Sequence, residues 1–145
     1  MEYKVLPAQT DDLKKKAFAI REEVFVQEQK VAHEEEFDQF EQESRHFVAL
    51  DTEGNVIGAS RWRRTDKGIK LERFAVKSSA RGMGVGQALV KATLDDIMAI
   101  AGSQQYLYMH AQLSAVSLYE RFGFRKKGEQ FEECSIKHYL MEKIS

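Results

Sequence analysis

Leu71-Glu72-Arg73-Phe74-Ala75-Val76, then Arg81-Gly82-Met83-Gly84-Val85-Gly86: an apolar, strand-like run is followed by three glycines in alternation and then by a long helix-like run. A loop that turns sharply and lets another group approach its backbone needs residues without a Cβ. Consecutive N–H groups in such a loop, continuing into those of a helix N-terminus, form a cradle for an anion. Strand, glycine-rich turn and helix together point to a phosphate-bearing ligand.

Residue identities exclude two common phosphate-binding patterns. A dinucleotide fingerprint, G-x-G-x-x-G, would need glycine at 87 or 89, where Gln87 and Leu89 stand. A P-loop needs Gly-Lys-Ser/Thr at the helix start, and Gly86 is followed by Gln87 and Ala88. The remaining pattern, Arg/Gln-x-x-Gly-x-Gly/Ala, is met by Arg81, Gly84 and Gly86.

Upstream, Tyr3 to Leu6 reads as a first strand closed by Pro7, with Thr10 or Asp11 capping a helix. Leu13, Ala17, Ile20 and Val24 keep helical spacing, and the helix is expected to end near Gln29. His46–Leu50, Val56–Arg64 and Ile69–Val76, separated by turn residues, read as three successive antiparallel strands, with Gly58 and Ala59 marking a bend or a close backbone approach. Downstream, the helix from Val85 stops at Gly102, and Tyr106–Met109 is expected to lie parallel to Leu71–Val76 through a right-handed crossover. Ser114 is expected to cap a last helix, stopped by Gly123, before closing strands near Phe124–Phe131 and Ile136–Ile144. The class is α+β, a mixed, mostly antiparallel twisted sheet flanked by helices (three α/β layers), in a single domain over 1–145.

The chain has 145 residues and a net charge of −1, which gives no electrostatic footprint for nucleic acid or a membrane surface. No apolar run approaches membrane-span length, and Met1-Glu2-Tyr3-Lys4-Val5 lacks the core of a signal peptide. Cys134 is the only cysteine, which fits a reducing, cytoplasmic setting. His33-Glu34 and the scattered histidines have no metal-ligand spacing, so no metal site is expected. The acidic segment Glu34-Glu35-Glu36, Asp38, Glu41, Glu43, broken by Phe37 and Phe40, has two readings: a solvated loop or short helical turn pinned by the two aromatics, or an acidic rim for a cationic substrate.

The chain resembles the GNAT superfamily of acetyl-CoA-dependent N-acetyltransferases and, within it, the small bacterial ElaA/YjcF-like group. The resemblance rests on four segments. They are Ile20-Arg21-Glu22-Glu23-Val24-Phe25-Val26-Gln27-Glu28-Gln29, the Leu71–Gly86 stretch, His110-Ala111-Gln112…Leu118-Tyr119-Glu120-Arg121-Phe122-Gly123-Phe124, and His138-Tyr139-Leu140-Met141. It implies the acyl-CoA N-acyltransferase fold, with coenzyme A wedged between splayed parallel strands, and a homodimer as in many related folds. Glu133-Cys134-Ser135-Ile136-Lys137-His138 departs from the Ala-Gly-Ile-Pro-His run common in related proteins, so that turn is not carried over.

The implied reaction transfers acetyl from acetyl-CoA to the primary amine of a small molecule, by direct attack in a ternary complex. By resemblance, the N–H groups of Arg81, Gly82, Met83, Gly84, Val85, Gly86 and Gln87 hold the pyrophosphate, with Arg81 adding charge. Backbone groups of Phe74, Ala75 and Val76 take the pantetheine arm and polarise the thioester. Tyr119 contacts the cofactor and protonates the departing sulfur; by spacing alone it is a core aromatic with Val116 and Phe122. Glu72 is read either as general base or as an ion-pair partner of a neighbouring arginine. Arg21, Glu28, His46, His110 and His138 are candidates for the acceptor pocket, with structural roles as the alternative. Cys134 has no Cys-His motif around it and is not expected to be a nucleophile. The competing functions are a coenzyme A-binding sensor without activity, and acetylation of a protein N-terminus or lysine.

Overall fold

The computed structural model describes residues 2–145; Met1, at the head of the segment read for a leader, lies outside them. Seven strands form one sheet: β1 (Tyr3–Pro7), β2 (Arg45–Asp51), β3 (Val56–Arg64), β4 (Ile69–Val76), β5 (Tyr106–Gln112), β6 (Arg125–Glu133) and β7 (Ile136–Ile144). Their spatial order is β1-β2-β3-β4-β5-β7-β6. Every pairing is antiparallel except β4 with β5. The outer strand β6 is rich in exposed charge, which discourages pairing with another chain at that edge.

Helices cover both faces, and this explains why β2 is buried almost end to end rather than at every second residue. On one face α1 (Asp11–Arg21) buries Ala17 and Ile20 against Val48, Ala59 and Ala75. Thr10 caps it, its hydroxyl accepting from the Leu13 N–H at 3.2 Å. On the other face α3 (Val85–Ala101) buries Leu89, Val90 and Ile97 against Phe47, Ala49, Trp62 and Leu71. Each such side chain contributes about 1.5–3 kcal/mol of transfer free energy. Gly58 makes this packing possible: a Cβ there would lie 2.9 Å from Leu89 Cδ1 and 3.0 Å from the Ala75 carbonyl oxygen. The helix ends at Gly102, whose φ of 79° closes it as expected.

Three local features differ from the sequence reading. The first helix does not run on as α-helix to Gln29; from Glu22 to Glu28 it widens into a π-helix, with Gln29 N–H donating to the Val24 carbonyl five residues back. Ser114 caps nothing: Leu113–Ala115 forms a 3₁₀ turn that passes directly into the short α4 (Val116–Glu120). The acidic segment takes the short helical turn, with Phe37 pinned edge-on against Phe18 at 5.8 Å, but it is not simply solvated. It contains α2 (His33–Glu36), and its Glu36, Asp38 and Glu41 are ion-paired to arginines from the protein's interior.

Candidate active site

The parallel pairing of β4 with β5 is brief. Ile69 stands beside Leu107 and Lys70 beside Tyr108; no further register follows, so the strands part. The β5-facing backbone groups of Leu71–Val76 therefore have no strand partner, which leaves donors and acceptors for a ligand. A cleft of about 830 Å³ opens at this point, lined by residues of both strands, the π-helix, α2, α4 and the β6–β7 turn.

β4 also changes face inside the cleft. Ala59 opposes Ala75 and Arg61 opposes Glu72, so Arg73 and Phe74 stand together against Ser60 alone. This is a β-bulge, and Arg73 takes a left-handed φ of 62° to make it. The guanidinium of Arg73 is held by the Glu36 carbonyl at 3.2 Å and Asp38 Oδ2 at 3.1 Å, which offsets the backbone cost. Before the bulge Leu71 faces α3 and Glu72 faces the α1 side; beyond it Phe74 and Val76 face α3 and α4. Tyr119 of α4 meets Phe74 edge to face at 5.6 Å. Its side chain is buried, and burial pushes its phenol well above the usual tyrosine value. No hydrogen bond to its hydroxyl forms among the described residues, although Tyr119 lines the cleft.

The glycine loop has the expected shape. Gly82 and Gly84 take φ of 81° and 82°, and Gly84 is the N-cap of α3 with no side chain capping its first turn. Arg81, Gly82, Met83, Gly84 and Gln87 are exposed, whereas Val85 anchors the turn in the core and Gly86 lies close under Leu118. The uncapped N–H groups at a helix N-terminus suit a phosphate. Arg81 does not point freely into this cradle. Its guanidinium forms a two-pronged pair with Glu28 at 2.7 and 2.8 Å and donates through Nε to the Val76 carbonyl at 3.0 Å. Glu28, placed by sequence in the acceptor pocket, thus sits at the loop; the hydrogen bond from Arg81 lowers its pKa.

Two other pocket candidates are structural. Arg21 is buried, bonded to Glu36 at 2.8 Å and to Glu41 at 2.7 and 2.9 Å, with Phe18 and Phe37 against its guanidinium. His46 is buried beside Phe18, its Nε2 2.8 Å from the Glu41 carbonyl, and burial lowers its pKa. Neither lines the cleft. Glu72 does, but as an ion pair. Arg61 Nε lies 2.8 Å from Oε2, Arg63 Nε 2.7 Å from the same oxygen, and Lys70 Nζ 3.3 Å from Oε1. Burial alone would raise its pKa; the charges of Arg61, Lys70 and Arg73 instead hold it at about 2. A carboxylate so stabilised is a poor proton acceptor, and the ion-pair alternative describes it.

His110 and His138 both line the cleft. His110 Nδ1 lies 2.9 Å from Glu133 Oε2, and His138 Nδ1 lies 2.7 Å from the Ile136 carbonyl. The turn that departs from related proteins is closed by Cys134 and Ser135, both at positive φ. Cys134 Sγ–H donates to Glu35 Oε2 at 2.8 Å, and burial together with this bond pushes the thiol up to about 11. Such a thiol is not an activated nucleophile. Sequence reading missed Glu133, Gln29 and Gln112 in the cleft; the amides of Gln29 and Gln112 bond each other at 2.9 Å across its floor.

A sheet split beside a glycine-cornered helix, with a tyrosine at the fork, defines a class. The chain belongs to the GNAT acetyltransferase family: the acetyltransferase (GNAT) domain of that family matches residues 9–145. YjcF of Bacillus subtilis (strain 168), an uncharacterized N-acetyltransferase, is 42% identical over 141 residues, 97% of this chain and 99% of YjcF. The crystal structure of Escherichia coli ElaA matches with a TM-score of 0.80 at 23% identity, over 98% of this chain and 99% of that one. A GNAT family acetyltransferase from Elizabethkingia anophelis, solved with acetyl-CoA bound, matches with a TM-score of 0.71 at 16% identity, over 99% and 98% of the two chains. The two solved structures share this fold. Among the described residues no helix is long and apolar enough to cross a membrane.

Proposed function

We propose that this acetyltransferase moves an acetyl group from acetyl-CoA to the primary amine of a small molecule, by direct attack in a ternary complex. The observation that carries this reading is the cleft through the β4–β5 fork, which has Tyr119 and Phe74 on one side of the sheet and Glu72, His110 and Gln112 on the other. Acetyl-CoA supplies a thioester carbonyl carbon and a thiolate leaving group. The N–H groups from Arg81 to Gln87 hold its pyrophosphate, and the edge of Phe74 to Val76 that has no β5 partner holds the pantetheine arm and polarises the carbonyl. Tyr119 donates its hydroxyl proton to the departing sulfur. Its raised pKa keeps the phenol neutral, so the hydroxyl hydrogen is present before reaction.

A small acceptor is favoured over a peptide because Cys134 and Glu35, hydrogen-bonded to each other, bridge two walls of the acceptor side. The carboxylates of Glu35 and Glu133 there favour a cationic amine. A cytoplasmic setting belongs to the same reading, supported by the single cysteine. The test is thiol release from acetyl-CoA with spermidine, glucosamine 6-phosphate and a peptide bearing a free N-terminus. One of the two small amines is expected to outpace the peptide. Slow thioester hydrolysis, indifferent to all three, would instead favour a coenzyme A-binding sensor.

A further inference from the structure

Glu72 is consumed by cations, so the amine's proton needs another acceptor on the same side of the sheet. Tyr108, His110 and Gln112 share the β5 face opposite the α3 core, because Leu107, Met109 and Ala111 alternate with them into that core. Of these three, His110 carries a titratable nitrogen with a carboxylate behind it. Its Nδ1 lies 2.9 Å from Glu133 Oε2. Glu133 titrates below the usual carboxylate range, first through this hydrogen bond and, against burial, through the charges of His110, Lys70 and His138. An ionised carboxylate can only accept, so Nδ1 bears the hydrogen and the neutral ring keeps its lone pair on Nε2. Among the described residues no group bonds Nε2. Phe131 meets the ring edge-on at 5.2 Å and Tyr108 lies at 6.3 Å, which fixes its plane.

We propose that His110 is the general base of the acetyl transfer and that Glu133 is its positioning residue. This rests on the function proposed above. Tyr119 and His110 then serve opposite faces of the sheet through one fork, acid on the cofactor side and base on the acceptor side. His110 Nε2 takes a proton from the acceptor's ammonium and frees the nitrogen lone pair. The nitrogen–carbon bond forms and the carbon–sulfur bond breaks. Tyr119 gives the sulfur its proton and is reprotonated by the second proton that the nitrogen sheds on becoming an amide. His110 passes the first proton to solvent, so ammonium and thioester become amide, thiol and one proton. The charged and titratable groups on this side of the fork are Tyr108 on its own strand, Lys70 and Glu72 from β4, Glu133 from β6, Cys134 in the β6–β7 turn and His138 from β7.

The experiment compares wild type, His110→Gln and Glu133→Gln, using the faster of spermidine and glucosamine 6-phosphate as acceptor. Three readouts are taken: kcat/KM against pH, acetyl-CoA affinity by calorimetry, and the histidine ring ¹⁵N spectrum without substrate. His110→Gln is expected to lose about 100-fold in kcat/KM at neutral pH with acetyl-CoA affinity retained. Glu133→Gln is expected to lower kcat/KM and to let the neutral His110 ring populate the Nε2-protonated tautomer, because an amide can donate to Nδ1 as well as accept from it. In wild type the neutral His110 ring is expected to carry its hydrogen on Nδ1. An active wild type with His110→Gln within threefold of it, or a neutral ring protonated on Nε2, overturns the assignment alone. A wild type that transfers acetyl to neither amine overturns the function proposed above, and this assignment with it.

Discussion

Arg61 and Glu72 face one another directly across β3 and β4, Nε to Oε2 at 2.8 Å, with the guanidinium wholly buried and the carboxylate nearly so. Arg61 also grips Asp38 through two bonds of 2.7 and 2.9 Å and reaches Glu41 at 2.9 Å. One buried cation therefore joins the sheet to the segment that carries α2 over the cleft. Replacing it with methionine keeps volume but takes the shared buried cation from three carboxylates, leaving Arg21, Arg63, Lys70 and Arg73 to compensate. Arg61→Met is expected to lose about 3–5 kcal/mol of stability, read by urea unfolding. A loss under about 1 kcal/mol would mean that Arg63, Lys70 and Arg73 suffice.

The same pairs set an acid limit. Glu72 and Asp38 both titrate at about 2 in the folded protein, each held down against burial by arginine, whereas unfolded carboxylates titrate near about 4. A depressed folded value means that stability is fully present above the unfolded value and is lost as pH falls toward 2. Glu72 contributes about 3 kcal/mol within that window, and the more solvent-screened Asp38 contributes less. The urea midpoint is expected to fall steeply between pH 4.5 and 2.5, windows taken from these two values; an unchanged midpoint would contradict the pairing.

Tyr119→Phe keeps the ring contacts with Phe74 at 5.6 Å and Phe124 at 6.5 Å, so the melting temperature should hold. Loss of the hydroxyl should lower kcat about 100-fold while acetyl-CoA affinity stays within about twofold. An undiminished kcat would remove Tyr119 from the acid role.

Glu28 neutralises Arg81 at the mouth of the glycine loop. Glu28→Gln should release that guanidinium toward a bound pyrophosphate and tighten acetyl-CoA binding by up to about fivefold, an effect that fades at high salt. Weaker binding would show that the pair holds the loop in shape instead.

Gly84 holds a left-handed φ of 82°, and a Cβ there would lie 3.4 Å from Tyr3 Oη. Gly84→Ala is expected to cost about 1–2 kcal/mol in backbone strain and to weaken acetyl-CoA binding measurably in calorimetry. Unchanged affinity would mean that the loop's N–H groups are not the phosphate site.

Much of the frame was legible because it is written in local signals. β3 and β4 begin and end where turn residues and alternation place them, and α3 runs from the glycine loop to Gly102. The π-helix was not legible: widening by one residue per turn leaves the apolar spacing of Ile20 and Val24 intact. Nor was the bulge, since arginine is an uncommon residue for the left-handed conformation that Arg73 adopts. Arg21 and His46 looked like ligand contacts because both are polar types that are usually exposed, and only long-range packing shows them enclosed by Phe18, Glu36 and Glu41.

The sequence by itself determined the glycine-loop side of the fold: strand, glycine loop and helix, with Tyr119 on the last helix. Turn conformation and helical or strand periodicity are properties of neighbouring residues, so they can be read in order. Only the tertiary structure decided which charges around the cleft are paired. It paired Glu72 with Arg61, Glu28 with Arg81 and Glu133 with His110, partners 11, 53 and 23 residues apart. Which charge is spent on a neighbour and which remains for a ligand depends on separations of about 3 Å, where Coulomb attraction and desolvation are both large. Chain order does not set those separations; the parting of β4 and β5 does.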